Sequence, residues 1–250
     1  MKFPKKPDEI YFFGTCLIDM FYPDAGISAI QLIQKEQVKV IYPQEQTCCG
    51  QPAFNSGYRQ EAQTVALQQI KLFPKKIPIV VPSSSCGAMM KHHYLDLFED
   101  HWALESIKDF SERIIEFSQF LVHVLKIKME DLGEPVELTW HAPCHALREM
   151  QIREEPKQLL QQLKNVKLIE LEREHECCGF GGTFSIKFPE ISKAMLSDKI
   201  DDISKTGASC VLSGDCGCLM NIEGGLKFQK KTMVGKHLAS FLWERSNGKS

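Results

Sequence analysis

The chain has 250 residues, 43% hydrophobic and 25% charged, with a formal net charge of -2. That is enough apolar material for one large core or two small ones, and the charge gives no reason to expect nucleic acid or anionic lipid as a partner. Ten cysteines without a legible export signal argue for a reducing, cytoplasmic setting and for metal binding over a disulfide framework. No stretch approaches the ~20 apolar residues of a membrane-spanning helix.

In chain order, Glu9–Phe13 predicts a short buried strand that ends at Gly14-Thr15-Cys16. Pro23 suits the first turn of a helix reaching about Glu36. Val38–Tyr42 is the next strand, and the loop Cys48-Cys49-Gly50-Gln51-Pro52 follows it. Helical periodicity runs from Tyr58 to Leu72, Ile77–Val81 reads as a strand, and the turn ending at Cys86-Gly87 opens a helix with Met89, Met90 and Tyr94. Ser111 is the expected N-cap of a long helix through Leu125. Gly133-Glu134-Pro135 marks a boundary, and the plan repeats. Val136–His141 is a strand, Pro156–Leu163 a helix and Val166–Leu171 a strand. Pro189–Thr206 is a helix stopped by Gly207, Cys210–Ser213 a strand, and Met233–Trp243 a tail matching the Ser111–Leu125 helix. Strands alternating with helices predict an α/β fold with small, mostly parallel sheets flanked by helices.

The cysteines sharpen this plan into a repeat. Cys-Cys-Gly occurs at Cys48-Cys49-Gly50 and again at Cys177-Cys178-Gly179. The shift between copies is 128 residues from Cys16 to Cys144, 129 for both cysteines of the pair, and 132 from Cys86 to Cys218. The expected domains are therefore residues 1–130 and 131–250, two pseudo-symmetric copies. Adjacent Cα atoms lie about 3.8 Å apart, too close for a relaxed disulfide. Side chains that diverge from extended backbone would suit a single zinc ion poorly and a wider iron–sulfur cluster better.

The patterns Cys-x31-Cys-Cys-Gly-x36-Cys and Cys-x32-Cys-Cys-Gly-x39-Cys resemble the cysteine-rich CCG domain. That domain occurs twice in a component of heterodisulfide reductase and in the iron–sulfur component of glycolate oxidase. Thr15-Cys16-Leu17-Ile18-Asp19-Met20-Phe21-Tyr22-Pro23, His141-Ala142-Pro143-Cys144-His145, Cys177 to Ser185, and Cys218-Leu219-Met220-Asn221-Ile222 are similar to the LutA/LldE (YkgE-like) lactate-utilisation family over essentially the whole chain. The resemblance implies an iron–sulfur electron-transfer subunit of a system that oxidises L-lactate to pyruvate with LutB- and LutC-like subunits. It implies a [4Fe–4S] cluster on Cys144, Cys177, Cys178 and Cys218, and a metal site on Cys16, Cys48, Cys49 and Cys86. The second site would hold a further cluster, or zinc as in some relatives. CCG domains often end in Cys-x-x-Cys, and the first position of that pair falls on Ser83 and Asp215, so each half keeps four aligned cysteines.

The remaining candidates read more simply. Cys210 and Cys216 are extra thiols, with Cys216 a substitute ligand at most. His141, His145 and His175 flank second-half cysteines; a direct ligand role is open to them, and with four thiolates already at hand they read more readily as hydrogen-bond donors to sulfur or as solvated groups. Arg148 could offset cluster charge or sit on a surface helix. Met89 and Met90 read as core. The Gly179–Gly182 turn lacks nucleotide-loop spacing and suits close backbone approach. Phe180 and Phe184 could form an apolar docking face or shield a cluster. No dinucleotide, flavin or nucleophile–base motif is legible. Two other classes stand beside the electron carrier: a cluster-based thiol–disulfide or quinone reductase, and a zinc-stabilised assembly scaffold.

Overall fold

The computed structural model of the chain describes residues 3–247. They divide into two compact units, the first ending at Ile127 and the second beginning at Lys128. Each unit is built on a four-stranded sheet. In the first, β1 (Glu9–Phe12), β2 (Lys39–Ile41), β3 (Ile79–Val81) and β4 (Ile114–Glu116) lie in the order β2-β1-β3-β4, all parallel. In the second, β5 (Val136–Trp140), β6 (Val166–Ile169), β7 (Cys210–Ser213) and β8 (Val234–His237) repeat it as β6-β5-β7-β8, again all parallel.

The strand sequences explain the architecture. The inner strands β3 (Ile-Val-Val) and β7 (Cys-Val-Leu-Ser) are buried along their whole length. A continuous apolar run of this kind belongs to a parallel sheet covered on both faces by helices. Pro23 stands at the first position of the helix Pro23–Lys35, and Gly207, at φ 66°, follows the helix Pro189–Lys205. Aromatic rings fill the first unit's core, where Phe73 meets the ring of Phe110 edge-on at 5.7 Å and Tyr94 stacks on Phe110 at 6.0 Å. Ile200, Ile203, Val211 and Ile222 fill the second.

Two expected helices are strand–helix pairs instead. Ser111 does not cap a helix to Leu125: it lies at the end of the helix Leu104–Glu112, where its hydroxyl donates to the Met90 carbonyl at 2.7 Å. Ile114–Glu116 then forms β4, and helical structure resumes only at Phe117. The tail departs in the same way, with Val234–His237 forming β8 before the helix Leu238–Asn247. Each of these strands completes its sheet against the third strand, a tertiary contact that overrides local helical periodicity.

This topology places the cysteines. In a sheet of order 2-1-3-4 the chain leaves the carboxyl ends of the first and third strands in opposite directions, which opens a crevice there. Cys16 follows β1 and Cys86 follows β3, with the Cys48-Cys49 loop following β2 beside them. Cys144, Cys218 and the Cys177-Cys178 loop stand in the same relation to β5, β7 and β6.

Candidate metal centres

All ten cysteines are unbridged. In the first unit the side chains of Cys16, Cys48, Cys49 and Cys86 are linked in that order by S–H···S hydrogen bonds. In the second, Cys144, Cys177, Cys178 and Cys218 are linked in the same order. The eight cysteines predicted from spacing thus converge as two sets of four.

The adjacent thiols do not diverge as extended backbone would require, because Cys48 bonds to Cys49 and Cys177 to Cys178. A turn follows immediately after each pair. Gly50 and Gly179 take left-handed conformations, φ 84° and φ 85°, and each donates its N–H back to the first sulfur of its pair at 3.4 Å. At Gly179 no side chain is possible without movement, since a Cβ would lie 2.6 Å from the Ser192 carbonyl oxygen.

Charge within each set follows the bonding. Cys48 is drawn down to about 3 by hydrogen bonds from Cys16 and Cys49, which outweigh its burial, with help from the Gly50 N–H. Cys177 is drawn down to about 2 by Cys144 and Cys178 in the same way, with the Gly179 N–H. The flanking Cys16 and Cys144 are pushed up, first by bonding to that neighbouring sulfur and then by burial. At Cys218 the bond with Cys178 acts to lower the value, but burial prevails and raises it. Each centre is a compact soft donor set of the kind that binds thiophilic metals.

Two side chains given no role by sequence reasoning fix the second cysteine of each pair. Tyr94 donates its hydroxyl hydrogen to the Cys49 carbonyl at 2.9 Å, and Asn221 Nδ2 donates to the Cys178 carbonyl at 2.8 Å. Both come from the helical segment after the third cysteine position, but at unrelated steps along it, so no shared spacing signals them.

The surroundings of the two centres differ. A cleft of about 230 Å³ opens onto Cys16 and Cys48, with Thr15, Asp19, Met20 and Tyr42 in its walls. Thr15, just before Cys16, is held at φ 29°, a strained conformation for a β-branched residue, while its hydroxyl caps the next helix at Ile18 N. In the second unit the ring of Phe180 lies over Gly217, where a Cβ would meet its Cε1 at 2.7 Å. Phe184 packs on Phe188, ring centroids 5.6 Å apart. Phe180 and Phe184 are half-buried covers, and the exposed apolar side chains beside them are Ile186, Phe188 and Ile191.

The other sequence candidates separate clearly. His141 is fully buried, and its ring lies with Cys178 and Cys218 so that one nitrogen and the two sulfurs are all within 4.8 Å of one another. His145 Nδ1 is 3.6 Å from Cys144 Sγ and its Nε2 is 3.6 Å from Glu149. His175 and Arg148 are exposed. Met89 and Met90 are buried in the first core. Cys210 lies in β7 and Cys216 at the head of the helix Cys216–Phe228, both buried.

The chemistry of the donors, with four linked thiols per unit, fits a thiolate-bound cluster or a zinc ion. Comparison with known proteins points the same way. Residues 10–91 and 138–223 match the family described as "CCG: Cysteine-rich domain". Over 240 residues the chain is 40% identical to the Lactate utilization protein A of Geobacillus sp. (strain WCH70), covering 95% of this chain and 100% of that one. It is 38% identical over 241 residues to the protein of the same name from Bacillus subtilis (strain 168), covering 95% and 100%. A crystal structure of a hypothetical protein from Helicobacter pylori matches with a TM-score of 0.67 at 9% identity, covering 99% of this chain and 51% of that one. The chain thus spans about half of that structure, and the likeness is one of fold. No helix among the described residues is long and apolar enough to cross a membrane.

Proposed function

The chain belongs to the cysteine-rich CCG domain family, as a relative of the Lactate utilization protein A group, and from that premise we propose that it acts in lactate utilisation as an electron-transfer subunit. The observation that supports this most is the paired chain of four sulfurs, repeated in the same order in both units. Cys144, Cys177, Cys178 and Cys218 would hold a [4Fe–4S] cluster. Cys16, Cys48, Cys49 and Cys86 would hold a second cluster or a zinc ion. Bound iron–sulfur clusters supply one-electron storage at a potential set by burial and by hydrogen bonds to sulfur.

The protein's own groups do the rest. The N–H groups of Gly50 and Gly179 place positive dipole ends against Cys48 and Cys177, which favours the more reduced, more negative state of a bound centre. Tyr94 and Asn221 hold the cysteine loops in place. Phe180 limits water access over Gly217. Exposed Ile186, Phe188 and Ile191 stand where a LutB- or LutC-like subunit would approach the second centre. Oxidation of lactate itself would be the work of the assembled system, in the cytoplasm, with this chain relaying electrons.

The test is anaerobic purification followed by iron, sulfide and zinc analysis, then lactate-dependent dye reduction with and without LutB- and LutC-like partners. The proposal expects iron and sulfide in the second unit, lost in Cys177→Ser, and dye reduction only with the partners present. Zinc alone in both units would make the chain a scaffold. Full lactate oxidation by the chain by itself, or disulfide or quinone reduction by it, would make it an enzyme in its own right.

A further inference from the structure

The two units repeat the cysteines but not the residue that follows the first strand of each sheet. Counting back the 128-residue offset that relates Cys144 to Cys16, His141 corresponds to Phe13. Both side chains are 0% exposed. Each is held by its own backbone N–H bonding to the neighbouring strand: Phe13 to the Val80 carbonyl at 2.9 Å, His141 to the Leu212 carbonyl at 2.8 Å. The phenyl ring belongs to the first unit's apolar core, where it needs no polar partner. The imidazole does need one, and among the described residues neither its Nδ1 nor its Nε2 has a hydrogen bond.

An orphaned polar group at this depth is costly, because it has given up its hydrogen bonds to water without replacement, so the ring calls for a partner. What faces it is sulfur: one nitrogen of His141, Cys178 Sγ and Cys218 Sγ lie within 4.8 Å of one another, with all three residues buried. We propose that His141 is a metal ligand of the second unit's centre, which therefore has a mixed imidazole–thiolate donor set where the first has thiolates only. This rests on the reading above that the second unit's cysteines hold metal.

A neutral imidazole binds through a lone pair and has no proton to release on ligation. Added to four thiolates it brings a donor of a different kind and no further negative charge, so the two centres would differ in donor set although their cysteine patterns are nearly the same.

Cobalt(II), added anaerobically to the metal-free full chain, reports donor type through its ligand-field and sulfur-to-metal charge-transfer bands. Cys178→Ser identifies the part of the titration that belongs to the second unit. His141→Phe, which copies the residue of the first unit, should weaken cobalt binding there roughly tenfold or more, a ligand mattering at least as much as the groups that orient ligands. His141→Cys should restore binding and add charge-transfer intensity. Unchanged affinity and bands in His141→Phe would overturn the inference and leave the metal reading intact. Failure of His141→Cys to restore binding would also overturn it, making the ring a positioning group. A wild-type titration indifferent to Cys178→Ser would remove metal from the second unit, and both readings with it.

Discussion

The hydroxyl of Tyr94 lies 2.9 Å from the carbonyl oxygen of Cys49, 45 residues earlier, with both groups buried. Burial first, and then the charges of Cys49, Cys48 and Cys86, keep the phenol protonated far above the ordinary tyrosine range, so it always has a hydrogen to donate. Tyr94→Phe keeps the ring and leaves a buried carbonyl unpaired, at a cost of about 1–3 kcal/mol. A fall of several degrees in melting temperature, with weaker metal retention in the first unit and none lost in the second, is the expected result. Asn221→Leu should do the converse through Cys178.

The two loop glycines are not equally replaceable. At Gly50 a Cβ would find its nearest neighbour at 3.5 Å, an ordinary contact, so alanine there costs only the left-handed backbone, about 1–2 kcal/mol. At Gly179 the same Cβ would meet the Ser192 carbonyl oxygen at 2.6 Å. Adding overpacking of about 1–3 kcal/mol to the backbone term makes Gly179→Ala the more damaging change. Equal denaturation midpoints for the two variants would contradict this.

Asp131 and Arg245 form a paired-oxygen ion bridge inside the second unit, with Arg245 Nε 2.7 Å from Oδ1 and its NH2 group 2.8 Å from Oδ2. Burial acts to raise the Asp131 pKa, but hydrogen bonds from Arg245 and from the N–H groups of Asn165 and Gly133 prevail and lower it. A carboxyl with a depressed folded value stabilises the fold above its unfolded pKa of about 4, and the gain disappears as pH falls through the folded value. Asp131→Asn should destabilise the protein at pH 7 by about 3–5 kcal/mol. It should also flatten the stability–pH curve below about pH 5, which acid denaturation followed by circular dichroism would measure.

Glu116 ends β4 and caps the helix that follows, accepting from Ser118 N at 2.7 Å and Gln119 N at 3.3 Å, and from the Ser118 hydroxyl as well. Glu116→Ala should cost about 2 kcal/mol by stripping a buried cap. Hydrogen exchange should then quicken at Ile114 and Ile115, which pair with β3.

That fourth strand marks where the sequence stopped being legible. Ile114, Phe117, Phe120, Leu121 and Leu125 recur at helical spacing, and nothing local reveals that three residues, Ile114–Glu116, pair with β3 instead. Val234–His237 was hidden in the same way, with the partner β7 some twenty residues upstream. The two-unit α/β plan was readable because eight cysteines kept register across a 128–132 residue shift. The splaying expected of each cysteine pair did not occur, and the left-handed turns at Gly50 and Gly179, which return an N–H to the first sulfur, are ones the letters permit but do not require. Tyr94 and Asn221 act through hydrogen bonds to main-chain carbonyls, which no spacing encodes. The contrast of His141 with Phe13 could be counted out in the sequence, but its meaning depends on burial and on two nitrogens without partners.

In both units the ligand-bearing loops follow the first three strands, while the fourth strand carries none. During synthesis, Cys16, Cys48, Cys49 and Cys86 and the strand β4 that closes their sheet are all made before Cys144 leaves the ribosome's active centre. The last sulfur of the later set, Cys218, comes near the start of the helix Cys216–Phe228 and ahead of β8 and the helix Leu238–Asn247. Since domains fold as units in the order of their translation, the nascent chain has a built-in schedule. The amino-terminal thiols are gathered while the carboxyl-terminal ones are still being translated, so the first set is complete and able to meet a metal before the second exists.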